Sequence, residues 1–259
     1  ESEVSKIFLK SKKPLIIIGE SALELKSGKY IFESIKRFLS DNSFINEKWN
    51  ALNILIQNAS SVGAIDLGFL NKENSSNNDF FARLNNHEFD LLYFVGSDNL
   101  EFNKRDEFII YQGSHGDRIA QMADIILPSP AFTEQNGLYI NLEGRLQKSL
   151  KASYPTGNAK EDWKIFNLIN KKLKNDEIFR NFNDLRNDTL KKIKSNSNFD
   201  LLPKTNTANL SFENVDFVDE KIFIRKMDYY FSNSIARSSK TMSDCRAVRQ
   251  TNLKSKTGS

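Results

Sequence analysis

Cysteine is almost missing. Cys245 is the only one in 259 residues. A single thiol cannot build a disulfide framework, a zinc site or an iron–sulphur cluster, and it fits a reducing compartment. Long apolar runs are missing too. The longest, PLIII and LLYFV, fall short of the ~18 residues of a membrane-spanning helix, and no secretory leader is visible. The sequence carries no G-x-G-x-x-G, no P-loop and no G-x-S-x-G, so the usual dinucleotide, phosphate and nucleophile-elbow signatures are excluded. Histidine occurs only twice, at His87 and His115. The first residue is Glu1 rather than Met, from which we expect a piece of a longer polypeptide.

What is present is a globular composition leaning polar, with 39% hydrophobic and 27% charged residues. The length suffices for a core that needs no cross-link. The net charge is +4 and unevenly spread. Residues 221–259 hold nine Lys/Arg against two Asp, a net +7, leaving −3 for the other 220 residues. A near-neutral body with a basic tail is not the footprint of a nucleic-acid-binding domain.

Continuous apolar runs mark buried strands of a parallel sheet. KPLIIIGE (13–20), DLLYFVG (90–96), EFIIYQG (107–113) and DIILP (124–128) qualify, each ending at or near Gly or Pro. A helix is expected over about 28–40, with Ile31, Ile35 and Phe38 on one face. Asn46 is read as the N-cap of a second helix over EKWNALNILIQNAS, on the spacing of Trp49, Leu52 and Ile56. FFARLNN reads as a short helix, residues 116–123 as a helical turn, and GLYINLEGRLQ (137–147) as a strand or hairpin. Asn158, with Glu161 as capping-box partner, is expected to start a helix striped by Trp163, Phe166, Ile169 and Leu173. Residues 176–195 read as a polar helix and 196–220 as a linker.

This grammar predicts a doubly wound α/β fold with a mainly parallel sheet, a helical extension and an extended C-terminal tail. The expected organisation is an α/β portion over 1–175, a helix and polar linker over 176–220 and a basic, aromatic-containing tail over 221–259. Ligands of such sheets sit beyond the C-terminal strand ends, which points to the loops at Gly19, Gly96 and Gly113 and to the rim 111–147. Each candidate there has a plainer reading. His115 in GSHGDR, with Asp117 near, has the makings of a general base, yet no nucleophile accompanies it and it reads better as a turn residue. His87 reads as a surface loop residue. Asp117, Asp124, Glu134 and Glu143 lack metal-loop spacing. Asp124 is placed to bind turn backbone, and Glu143-Gly144-Arg145 to hold a salt bridge across a tight turn. Cys245 stands beside Arg246 and near Arg249, which would favour a thiolate, but a lone cysteine is more often inert. No catalytic, cofactor-binding or metal residue is assigned.

The stretch ADIILP…E…NLEGRLQ resembles the A-D-(V/I)-(I/V)-L-P…E…N-x-E-G-R-x-Q signature of the molybdopterin-oxidoreductase superfamily. YQGSHGD before it, AKEDWKIF after it, SSVGAIDLGFL and the tail MDYYFSNSIARSSKTMSDCRAV resemble one branch of that superfamily. That branch is the large iron–sulphur subunit of the NADH–quinone oxidoreductases, respiratory complex I. The likeness spans about 13–175 and 225–248. It implies a parent enzyme passing electrons from NADH through flavin and iron–sulphur clusters to quinone, coupled to proton translocation. It places the 2Fe-2S and 4Fe-4S clusters in an N-terminal region this sequence lacks. This segment is then a cofactor-free scaffold in the peripheral arm, on the bacterial cytoplasmic or mitochondrial matrix side. Its partners are other peripheral-arm subunits, with no nucleic acid and no membrane insertion. The tail 222–249, with Phe223, Tyr229, Tyr230 and Phe231, is the candidate docking strap. Two other readings stay open: the cofactor-binding portion of a catalytic, formate-dehydrogenase-like molybdopterin oxidoreductase, and a stand-alone α/β nucleotide-binding module.

Overall fold

The expected apolar runs form strands, and the strands pair in parallel. In the computed structural model, residues 3–59, 61–69, 77–97, 100–116, 118–193, 198–204, 210–222 and 228–257 are described. The N-terminal elements are α1 (Glu3–Lys10), β1 (Ile16–Gly19), α2 (Glu20–Leu23), α3 (Gly28–Asp41), β2 (Ile45–Asn46), β3 (Trp49–Asn50), β4 (Leu52–Leu55) and α4 (Ser61–Asp66). Next come α5 (Asn77–Asn85), β5 (Leu91–Val95), β6 (Phe108–Gly113), α6 (Arg118–Met122) and β7 (Ile125–Pro128). Then follow β8 (Gly137–Ile140), β9 (Leu146–Ser149), α7 (Asp162–Lys174), α8 (Phe182–Lys192), a 3-10 turn at Tyr229–Phe231, α9 (Ser234–Ser238) and α10 (Lys240–Thr257). The chain divides into two compact units: residues 1–70, 138–148 and 187–225, and residues 71–137, 149–186 and 226–259.

In the first unit β1 runs parallel to β4, Ile16 opposite Leu52 and Gly19 opposite Leu55. Here the sequence expectation fails: residues 47–59 are not a helix. Asn46 does cap, but it caps a turn. Its side-chain oxygen accepts from the backbone N–H of Lys48 and Trp49 at 3.0 and 3.1 Å. The antiparallel β2–β3 pair that results carries Trp49, whose indole donates to the Pro14 carbonyl at 2.7 Å. Leu52, Ile54 and Ile56 alternate as well as they recur, and the partner strand β1 decides between the two periods.

The second unit is the three-stranded parallel sheet β5-β6-β7. Because side chains alternate across a strand, Leu92, Phe94, Ile109 and Tyr111 share one face. There they pack with Leu84 of α5 and Ile119 of α6 into the unit's core. Tyr93 and Gln112 point the other way, toward α7, where Tyr93 meets Phe166 edge-on at 5.9 Å. Helices thus lie on both faces of an open parallel sheet, as a doubly wound fold requires.

Further expectations are corrected. Helix α7 begins after Glu161, with no side-chain cap, and not at Asn158. Residue 160 is held away from helical geometry because its N–H reaches the Pro128 carbonyl at the end of β7. The buried apolar residue of α7 is Ile165, while Phe166 and Leu173 of the expected stripe are exposed. The polar helix expected over 176–195 is shorter, α8 starting at Phe182. The tail expected to be extended holds a 3-10 turn, α9 and α10 between Tyr229 and Thr257. It is closed on itself by an Asp228–Arg246 ion pair and by Arg246 stacked 4.3 Å over Phe231.

The expected linker is a strap where it is described. Glu213 offers its N–H to Glu33 at 3.1 Å, Asn214 accepts from Arg37 at 3.1 Å, Phe217 packs edge-on against Tyr30, and Glu220 accepts from the Ser27 N–H at 3.2 Å. All of these dock on α3 or its N-cap.

Candidate functional site

In an open parallel sheet the place to search is beyond the C-terminal strand ends. In the second unit that is Gly96, Gly113 and Pro128 with the loops that follow. Tyr111 and Gly113 lie two apart on one face of β6. The Tyr111 ring, 2% exposed, lies over Gly113, and its hydroxyl donates to the His115 carbonyl at 2.6 Å. A Cβ at 113 would sit 2.5 Å from Cζ of Tyr111 and overlap its hydroxyl oxygen outright. Glycine here makes room for a core side chain.

On the opposite face a buried polar chain runs from β5 to α7. Tyr93 donates to Gln112 at 2.5 Å. Gln112, wholly buried, donates to Asp162 at 2.6 Å, whose second oxygen accepts from Gln135 at 3.3 Å. Burial, and then the nearby Asp162 charge, push the Tyr93 hydroxyl pKa up. Sequence reasoning missed this network. Its signal was Gln112 itself, a polar residue inside the apolar run FIIYQ, because a buried amide must find partners.

The predicted residues separate. His115 is half-buried, and its ring meets only Ser114, at 3.0 Å, among the hydrogen bonds of the described residues. Its carbonyl, not its imidazole, is what the fold uses. Asp117 lies outside the described residues. Glu134 accepts from the Ala131 N–H at 3.0 Å and the Thr156 hydroxyl at 3.1 Å, tying one loop. Asp124 sits at the opposite, N-terminal end of β7. Lys104 donates to both of its oxygens at 2.7 Å, and the Ile109 N–H to one of them at 2.7 Å. Lys104, then that N–H, hold its carboxyl below the usual range. Lys104 was not anticipated.

His87 is not a plain surface residue. Its backbone is left-handed, φ 57°, and Nδ1 lies 2.5 Å from Glu107, whose side chain is 3% exposed. The Arg105 N–H, at 2.6 Å, and then His87 lower the Glu107 pKa to about 2. This pair closes the N-terminal end of β6, away from the ligand side.

In the first unit Glu143 and Arg145 approach to 3.8 Å across the turn, as the sequence predicts. Gly144, φ 80°, leaves no room for a Cβ beside Pro203, and Arg145 donates to the Asp200 carbonyl at 2.8 Å. The N-L-E-G-R stretch holds the 198–203 segment. Gly19 is in extended geometry at the N-terminus of α2, φ −69°. Cys245 is exposed. Among the described residues no cluster of three or more His, Cys, Asp or Glu is arranged to hold a metal ion. At the described rim Gln112 and Asp162 are bound to one another, and Glu134 to its own loop.

The sequence model of the molybdopterin oxidoreductase family matches residues 1–172. The chain belongs to that family. It is 36% identical over 255 residues to the NADH-ubiquinone oxidoreductase 75 kDa subunit of Reclinomonas americana, covering 95% of this chain and 36% of that protein. It is 34% identical over 249 residues to an NADH-quinone oxidoreductase subunit of Rickettsia felis, covering 96% and 35%. With the mitochondrial NADH-ubiquinone oxidoreductase 78 kDa subunit of Neurospora crassa it shares 32% over 266 residues, covering 97% and 34%. The chain is thus homologous to these oxidoreductase subunits along nearly its whole length and spans about a third of the length of these relatives.

Proposed function

We propose that this chain is the cofactor-free structural portion of the large iron–sulphur subunit of a respiratory complex I, serving an enzyme that moves electrons from NADH to quinone. The observation that carries the reading is near-full-length homology to NADH-quinone and NADH-ubiquinone oxidoreductase subunits from bacteria and mitochondria. The chemistry of the rim supports it. Tyr93, Gln112, Asp162 and Gln135 bind one another there, and Gly113 is covered by the Tyr111 ring. A protein of this ancestry acts by holding its neighbours, with the 2Fe-2S and 4Fe-4S clusters carried elsewhere in the parent subunit. Its place is the peripheral arm, on the bacterial cytoplasmic or mitochondrial matrix side. No helix of the described residues is long and apolar enough to cross a membrane.

The test uses the full-length protein isolated from its source. It should co-purify with NADH:quinone oxidoreductase activity and carry iron without stoichiometric molybdenum or tungsten. Stoichiometric molybdenum or tungsten, or absence from that complex, overturns the reading. The tail is the proposed docking element. Phe223 lies outside the described residues, but Tyr229, at 68% exposed, presents an aromatic anchor, and Arg249 lies over the ring of the next residue, Tyr230. Full-length protein truncated after Glu220 should keep its folded core, since no described tail residue belongs to the sheet's core cluster, yet enter the complex poorly. Normal incorporation would remove the tail from the proposal.

A further inference from the structure

Helix α7 covers only part of what it offers. Ile165, Leu168, Ile169, Lys172 and Leu173 recur at i, i+3, i+4, i+7 and i+8, one continuous helical face. With Leu127 and Pro128 at the end of β7 and Asn158 and Lys160 of the incoming segment, that face lines a groove of about 400 Å3. All of it lies within the β5-β6-β7 unit. Leu168 is 49% and Leu173 77% exposed, and Ile125, on the α7 face of β7, is 43% exposed. β7 is the edge of its sheet. Apolar surface gathered in this way around one trough marks an interaction site.

The rim charge narrows the occupant. No acidic residue lines the groove, and Lys160 and Lys172 stand at its edge. The neighbouring lysines are engaged, Lys164 with Glu161 at 2.9 Å and Lys171 with Glu177 at 2.8 Å. No carboxylate among the described residues pairs with Lys160 or Lys172. A second copy of this chain, docked about a two-fold axis, would bring the same lysines against each other. The lining face extends over nine residues of helix, Ile165 to Leu173, a rise of about 12 Å, the scale of two turns of a partner helix. A helix in such a groove anchors through residues at i, i+3 or i+4, and i+7.

We infer that the trough between α7 and the end of β7 receives an amphipathic α-helix of another polypeptide, apolar on its docking face and flanked by Asp or Glu that meet Lys160 and Lys172. The inference rests on the proposed role within an assembly and adds the chemistry of one partner.

The test places p-benzoylphenylalanine at Leu173 in the full-length protein within its native complex. After irradiation, the cross-linked peptide is sequenced by mass spectrometry. The expected product is a peptide of a different subunit, with apolar residues at helical spacing and net negative charge. Charge reversal by K160E and K172E together should cut the cross-link yield, roughly threefold to tenfold. A cross-link to the protein's own chain or to a second copy overturns the inference. So do a basic or non-periodic peptide, no cross-link at all, or a yield that K160E/K172E leaves unchanged. A native gel run in parallel separates the two readings. Protein present in the complex without the cross-link sinks only the groove; protein absent from the complex sinks the assembly role itself.

Discussion

Gly113→Ala is the substitution that best separates packing from ligand approach at the strand-end rim. If Gly113 existed to let a phosphate near the backbone, a methyl group there would cost binding and little stability. The geometry says the reverse. The added Cβ would lie 2.5 Å from Cζ and 3.0 Å from Cε1 of Tyr111, a ring only 2% exposed and enclosed by Leu92, Phe94 and Ile109. Ring or strand must move, and either motion breaks the 2.6 Å bond from the Tyr111 hydroxyl to the His115 carbonyl. Forced overpacking costs about 1–3 kcal/mol and the lost buried hydrogen bond about another 1 kcal/mol. The expected destabilisation is therefore about 2–4 kcal/mol. It should be read from urea unfolding together with hydrogen exchange at the Ile109–Tyr111 amides. Gly96→Ala is the control: its Cβ meets nothing, but φ is 64°, so only backbone strain of about 1–2 kcal/mol is expected. Tyr111→Phe should cost about 1 kcal/mol alone and less than its full effect in the Gly113→Ala background, because the worst overlap goes with the hydroxyl. A Gly113→Ala protein within about 0.5 kcal/mol of the parent, the range of a neutral surface change, would refute the packing account.

Two further outcomes follow from the polar contacts. The Glu107 carboxyl is held down to about 2, so its contribution to stability is fully present above its ordinary value of 4.5 and is lost as pH falls from there toward 2. Glu107→Gln should flatten that acid limb in a pH titration of unfolding, and identical limbs for the two proteins would count against the His87–Glu107 account. Glu33 is buried, which alone would raise its pKa. The hydrogen bonds from Lys36 and from the Glu213 N–H outweigh burial and lower it. Glu33→Ala should release the strap, seen as faster hydrogen exchange and proteolysis at 213–216 with β5 and β6 unaffected. Unchanged protection at 213–216 would mean that other contacts hold the strap.

Much of the frame is legible in the amino-acid order because it is local. Four apolar runs bounded by Gly or Pro specify strands, and two of the resulting sheets are parallel. Asp124 at a strand entrance binds backbone, and Glu143-Gly144-Arg145 forms a charged turn. Where two local readings competed, distance along the chain decided. Asn46 suits a helix cap and a turn equally, and the choice fell to Trp49 reaching Pro14 and to β1 pairing with β4. Asn158 and Glu161 make a sound capping box, but the Lys160 N–H is taken by Pro128.

Amino-acid order is enough for the family, the alternation of strand and helix, and the want of thiols for a cluster in this piece. What Gln112, His87 and Glu33 do was set by packing between distant parts of the chain. Gln112 meets Asp162 fifty positions away, His87 meets Glu107 twenty away, and Glu33 holds a strap 180 residues on. Hydrogen bonds between groups so far apart leave no periodicity in the sequence. A buried polar atom takes whichever partner the packed chain delivers, and at the rim those partners are the protein's own.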